Sequence, residues 1–467
     1  MERLADRPYW VLAFAEDGRL ISPAGHTFLD EVSASGVREL FVLSHGWNTS
    51  QAGADDLYAS LLPMVARSAN HATALGPVGL VGVHWPSLWF PDPPRGTAAG
   101  ASAGAGHAQS TQPGSLEAPR SRDAELSGRE IAESLREAFG DAQRDAVDRL
   151  GGLIDEGEAA AAAGGEPDQA QRDRLAEFHR LLQQLVDHPG PPAFEDSGET
   201  ALFTSDDPER DYAFIAHEFG GASVDGSAQG LADNFRTVWN GAKDVLRITS
   251  YFVMKARAGD VGSKGLGPLL AELHKADAAP ATRVHLVGHS FGGRLVAFAL
   301  AGIPSAAASP VASLVLVQAA FSHFSFSGAR DNPFGVAGAL RDVADRVHGP
   351  LVATFSEHDW AVGQWYPRAS ALARQDNQAN PQVSRWGGLG AGGFQAVSPF
   401  DRRDLLTQGS DYAFSTGHFY GVDGSTVIDD FQQSAFAGAH SDIRKEEVAW
   451  LITAAAATTA QATATPG

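Results

Sequence analysis

The chain has 467 residues, 43% of them apolar and 19% charged, with 51 glycines. That is a globular composition with apolar material for a large core, and room for two or three domains at roughly 100 to 200 residues each. Thirty-five bases against 56 acids give a net charge of −21, which repels phosphate backbones and anionic headgroups, and no basic patch offsets it; nucleic acid is not an expected partner. Zero cysteines exclude disulfides, thiolate metal sites and cysteine nucleophiles.

Along the chain, short runs rich in valine and leucine alternate with helical segments, the pattern of a mostly parallel α/β sheet. Acids at Glu2 and Asp6 spoil a basic secretory leader before the apolar stretch from Pro8 to Ala15. No run reaches the roughly 18 apolar residues of a membrane helix, so no transmembrane segment and a cytoplasmic location are expected. Strands are predicted at Trp10 to Phe14, Arg19 to Ser22, Leu40 to Ser44 and Gly79 to His84, with a helix over Ala52 to Ser68.

After the fourth strand the composition changes. Pro91 to Gly114 is a low-complexity Pro/Gly/Ala/Ser linker, and from Ser121 to Asp211 there are 23 acids against 9 arginines, two-thirds of the whole charge excess. Ile131, Leu135, Phe139, Ala142, Ala146 and Leu150 form one helical stripe; Leu175, Phe178, Leu182 and Leu185 form another. Residues 93–227 therefore read as a linker plus an acidic helical hairpin inserted between the fourth and fifth strands, either a lid over a substrate site or a solvated decoration.

The core resumes at 228 and runs to 457, completing a domain begun by 1–92. Helices are predicted at Leu231 to Ala256, Gly265 to Ala276, Ser290 to Ala301, Phe334 to Val347 and Ile443 to Ala456. Strands are predicted at Arg283 to Val287, Leu314 to Val317, Leu351 to Phe355 and Thr426 to Ile428, eight in all. Gly387 to Gly393 follows no strand and opens no helix, so it reads as a loop rather than a phosphate cradle. The threonine- and alanine-rich tail, 458–467, reads as disordered.

The sharpest chemical signal is Gly288-His289-Ser290-Phe291-Gly292, between a strand and a helix. The two glycines allow a turn tight enough to lift the serine oxygen clear of the backbone at the helix N-terminus, a nucleophile elbow. A serine at its ordinary pKa is a poor nucleophile, so a base, an orienting acid and an oxyanion pocket must lie elsewhere. In the serine–acid–base order of such elbows, the acid follows the strand ending at Phe355. Asp359 is the first candidate there and Glu357 the alternative. The loop after Val317 begins Gln318-Ala319-Ala320 and carries no carboxylate until Asp331. The base comes last: His440, before the C-terminal helix, with His418 as its rival. Two backbone donors would stabilise an oxyanion, one from Phe291 and one from Trp47, in Ser44-His45-Gly46-Trp47 after the third strand.

On His45-Gly46-Trp47, His84-Trp85-Pro86-Ser87, the elbow, Asp359 and His440, the chain resembles the α/β-hydrolase superfamily, nearest its serine esterase and lipase branch. The resemblance implies a doubly wound eight-stranded sheet, acyl transfer through Ser290 and no metal or organic cofactor. The site would take a small-molecule or lipid-like ester, with His45, Gly46, Trp85 and His289 on the substrate side. Trp89, Phe90 and the aromatics between Asp359 and the last strand, such as Trp365, Trp386, Phe394 and Phe419, could line an apolar acyl site, although core packing is the commoner fate of aromatics. An amidase or peptidase using the same triad, and a non-catalytic binding protein on the same fold, are the alternatives.

Overall fold

The computed structural model describes residues 2–22, 27–47, 49–87, 126–136, 139, 143–163, 168–186, 206–220, 235–276, 282–362, 387–431 and 438–464. The linker predicted at Pro91 to Gly114 lies outside them. The chain divides into two compact units, one of Met1–Leu88, Val186–Thr204 and Ser250–Gly467, the other of Trp89–Leu185 and Ser205–Thr249.

The first unit is an α/β layer built on a nine-stranded sheet, one strand more than the sequence suggests. In chain order its elements are β1 (Glu2–Leu4), β2 (Arg7–Ala13), α1 (Phe28–Ser35), β3 (Glu39–Ser44), α2 (Gln51–Ala69) and β4 (Val78–His84). The chain then leaves for the second unit's α3 (Gly128–Leu135), α4 (Arg144–Ala162), α5 (Gln169–Val186) and α6 (Pro208–Gly220), and returns within α7 (Phe235–Asp260). A π-helical turn (Val261–Leu266) leads to α8 (Gly267–Ala276), β5 (Arg283–His289), α9 (Phe291–Gly302), β6 (Val311–Val317), β7 (Leu351–Phe355), α10 (Leu389–Gly392), β8 (Phe400–Asp404), β9 (Phe419–Asp423) and α11 (Glu446–Ala464).

Strand order is β1-β2-β4-β3-β5-β6-β7-β9-β8, and every pairing is parallel except β1 with β2. The central strands β3 to β7 are buried almost throughout, which is why they read as unbroken apolar runs rather than alternating ones. On one face Phe41, Leu43, Leu80, Val287, Val315 and Val352 pack with α2 and α11; the alternate residues face the other way, toward α9 and the π-turn that packs on it. From β3 the chain steps to β4 on one side, then to β5 on the other. The carboxyl ends of β3 and β5 therefore flank the point where the winding reverses, the crevice in which ligands of open α/β sheets bind.

Four expectations give way. Arg19 to Ser22 is not a strand: Leu20 makes one antiparallel bridge back to Phe14 across a turn. Thr426 to Ile428 is a turn, with Val427 and Ile428 both bonded to Gly424 O, and the last strands are β8 and β9 instead. Phe334 to Val347 is a chain of turns ending in a 3-10 turn (Ala344–Arg346), because Gly338 and Leu340 donate to Ser327 O and Ser325 O rather than up a helix. The segment 458–464 continues α11, held by Thr459 Oγ1 donating to Ala312 O at 2.7 Å and by buried Ala460.

The second unit is helical. The long stripe predicted through Leu150 is split between α3 and α4, with α3 closed by a capping box of Ser127 and Glu130. Phe178, Tyr212 and Trp239 meet edge to face at 5.8 and 6.0 Å, and buried Lys243 pairs with Glu158 at 2.6 Å. Val238, Trp239, Ala242 and Val245 join this core, so the boundary falls inside α7 and not at residue 228. Among the described residues no helix is long and apolar enough to cross a membrane.

Candidate active site

Ser290 stands between β5 and α9 with φ 55° and ψ −125°, a conformation that costs a residue with a Cβ on the order of 1–3 kcal/mol. The neighbourhood enforces it. Ser290 N–H donates to Val317 O at 3.2 Å, and Ser290 O accepts from Gly293 N and Ala320 N at 3.0 and 3.2 Å. A Cβ on Gly288 would lie 2.3 Å from Gly292 O, and one on Gly292 would lie 2.2 Å from Ser44 O. Both glycines are thus demanded by backbone contact between strand, helix and the β3 loop.

The β3 loop reaches the serine through Gly46, where a Cβ would sit 2.7 Å from Ser290 Cβ and 3.2 Å from Oγ. His45 holds this loop. Its Nδ1 is 2.9 Å from Gly46 O, and because a carbonyl only accepts, Nδ1 carries the proton. In a trans peptide the Trp47 N–H points opposite to the Gly46 carbonyl, so the His45 bond sets the direction of that amide. Tyr58 Oη accepts from His45 N and donates to Val83 O, and Trp85 stacks on the His45 ring and donates Nε1–H to His45 O at 3.0 Å. Burial depresses the His45 pKa to about 3, keeping the ring neutral. Trp47 and Phe291, the first residue of α9, face each other with ring centroids 6.2 Å apart. His45 and Trp85 are 2% and 4% exposed, so the structure places them as supports of the loop rather than on an open substrate surface.

Asp359, in the loop after β7, is fully buried, and its Oδ2 lies 2.9 Å from Nδ1 of His440, in the turn before α11. The two loops are pinned together by an isolated bridge between Asp359 and Gly438 and by Ala439 N donating to His358 O. A carboxylate on Nδ1 fixes the proton there and leaves the lone pair of His440 on Nε2. Glu357, the alternative acid, has a 77% exposed side chain. His418, the rival base, lies 3.3 Å from Asp401 and stacks on Tyr420.

His289 links the serine to the histidine. Its Nε2–H donates to His440 O at 2.9 Å, and the two rings lie 4.9 Å apart. Burial, with the neighbouring His440 adding to it, lowers the His289 pKa to about 3. No hydrogen bond joins Ser290 Oγ to His440 among the described residues; the elbow and the imidazole are coupled through His289.

Three partners of the acid escaped the sequence reading. Gln318 Nε2 donates to Asp359 Oδ2 at 3.0 Å, Val362 N donates to Oδ1 at 3.0 Å, and the Gly387 to Gly393 segment, read as a loop, contains α10, which sets Gly390 against Asp359. A polar residue directly after four buried apolar ones, Leu314 to Val317, was the one available signal for Gln318. The proposed acyl-site aromatics divide otherwise. Trp89, Phe90, Trp365 and Trp386 lie outside the described residues, while Phe394 and Phe419 pack edge to face with each other and with Phe326 as core.

Set against known proteins, the chain matches no family model, no curated protein and no solved structure.

Proposed function

We propose that this chain is a serine hydrolase on an α/β-hydrolase-like fold, cleaving carboxylic esters through an acyl-enzyme. The observation that carries the reading is the 2.9 Å contact of His440 Nδ1 with buried Asp359, the His440 ring lying 4.9 Å from that of His289, which precedes a serine at a strained strand-to-helix turn. With its proton fixed on Nδ1, His440 takes the Ser290 proton on Nε2 as Oγ attacks the acyl carbonyl; Asp359 stabilises the imidazolium that results. The amides of Trp47 and Phe291 receive the oxyanion, the first directed by His45, the second lying at the positive end of α9. His440 then gives its proton to the leaving alkoxide, and water repeats the cycle on the acyl-serine. The missing Ser290–His440 bond closes when substrate binds, as such contacts tighten in the reactive complex.

That same gap favours one competing reading, a non-catalytic binding protein. Labelling by a fluorophosphonate, with Ser290→Ala as control, and hydrolysis of nitrophenyl esters of graded acyl length separate the two. Modification confined to Ser290 and turnover that depends on it support the hydrolase. Absence of both would leave the binding protein.

A further inference from the structure

Gln318 is fully buried just past the end of β6 and holds φ +47°, in the left-handed region that residues with a Cβ seldom adopt. Its polar groups form a closed set. Its main-chain N–H donates to Thr354 Oγ1 at 3.0 Å, and that hydroxyl donates to Gln318 Oε1 at 2.9 Å. Its Nε2 donates to Asp359 Oδ2 at 3.0 Å and to Gly390 O at 3.3 Å. The amide can face only one way. Thr354, having accepted from the main chain, has a single proton to give, so it meets the oxygen; reversal would set Oε1 against the carboxylate.

An apolar side chain of equal volume would fill this space without the desolvation of an amide, so packing alone does not explain a glutamine. Asp359 Oδ2 has two lone pairs. Gln318 takes one, which confines His440 Nδ1–H to the other and sets the ring plane of the histidine. The same backbone segment also braces the nucleophile, because Val317 O and Ala320 N bond the two sides of the Ser290 peptide. Gly390 closes the arrangement: a Cβ there would lie 2.8 Å from Asp359 Oδ2 and from the Gln318 carbonyl carbon, so only bare backbone fits.

We infer that Gln318 is a positioning residue, which fixes the orientation and charge of Asp359 toward His440 and ties the acid to the backbone that strains Ser290. The inference rests on the hydrolase reading, with Gln318 acting through the acid and not on substrate.

Two variants of nearly unchanged volume test it: Gln318→Met, which removes the donors, and Gln318→Glu, which returns one donor as a carboxylic acid. The readouts are kcat and KM on nitrophenyl acetate, the pH profile of kcat/KM, and the low-field proton resonance of His440 Nδ1–H, which needs no turnover. In Gln318→Met, kcat falls about tenfold or more while KM stays within twofold, and the resonance broadens or disappears. In Gln318→Glu, a second buried carboxyl about 3 Å from Asp359 cannot ionise beside it, so it keeps its proton, donates to Asp359 Oδ2 in place of the amide, and holds kcat within about threefold of the unaltered protein. A Gln318→Met variant whose kcat, profile and resonance overlay those of the unaltered protein would overturn the inference while Ser290 still reacts with fluorophosphonate. Failure of the unaltered protein to react would overturn the hydrolase reading and this inference with it. If both variants misfold, Thr354→Val decides: it frees the amide without touching Asp359, and an unmoved pH profile rejects the role.

Discussion

Gly46 lies so close to Ser290 that a methyl group added to its Cα would come within 2.7 Å of the serine Cβ. Gly46→Ala must therefore push the β3 loop off the elbow, and the Trp47 amide with it. The expected result is a roughly hundredfold fall in kcat and in the rate of Ser290 labelling, the effect of losing one oxyanion donor. The thermal transition should change little, since the loop and not the core moves. A variant that labels at the normal rate would show that the loop plays no part in the chemistry.

Asp359→Asn keeps the shape of the acid and removes the reason for His440 to carry its proton on Nδ1. The histidine then offers an N–H where the serine needs a lone pair, and kcat should fall on the order of ten-thousand-fold with the fold intact. Steady-state rates, with circular dichroism to verify folding, check this. A loss of under tenfold would mean that His440 is not the base.

Two buried neutral histidines make stability depend on pH. His45 and His289 have pKa values depressed to about 3, against 6.5 when free in the unfolded chain. Between those values the unfolded state binds protons that the native state does not, so stability falls as pH drops below about 6.5. Glu39 adds to the slope. Burial alone would raise its pKa, but hydrogen bonds from His285 and Arg283 hold it below 4.5, and that contribution is lost on further acidification. The melting temperature should fall steadily from pH 7 to pH 4, and less steeply in His289→Gln. A flat profile would contradict the burial of both rings.

Glu39 also allows a comparison of ion pairs. Its carboxylate has no exposure and meets His285 at 3.0 Å as well as Arg283, while His285 Nδ1 meets Ser313 at 2.9 Å. Glu39→Gln leaves the arginine without its counter-charge and should cost about 3–5 kcal/mol. Arg67 and Glu446 are equally close, at 2.9 Å, but about half exposed; Glu446→Gln should cost less than about 1 kcal/mol. Urea unfolding of the two variants measures the contrast, and equal losses would refute it.

What could be read in the sequence follows from where the information resides. The elbow was legible because its glycines, its serine and the flanking strand and helix are contiguous; β3 to β7 were legible because buried parallel strands are unbroken apolar runs. β8 was not. Phe400 to Asp404 alternates exposed and half-exposed residues at the sheet edge, where charges guard against further pairing and erase the apolar signal. The roles of Gln318, Thr354 and Gly390 were not legible for another reason: each is set by a carboxylate that the chain brings alongside only on folding.

The strain at Ser290 gives a last prediction, in which activity and stability move in opposite directions. Its φ of 55° with ψ −125° is readily adopted by glycine but not by a residue with a Cβ. Ser290→Ala removes the hydroxyl and keeps the strain, whereas Ser290→Gly removes both. Part of the relief, on the order of 1–3 kcal/mol, is offset by the greater freedom of glycine in the unfolded chain, roughly 1 kcal/mol, leaving the glycine variant more stable by about 1 kcal/mol. Neither variant should hydrolyse esters. Comparing their urea midpoints tests the idea directly, because a turn that served only to connect β5 with α9 would have no reason to hold a side chain in that conformation, and the two variants would then unfold together.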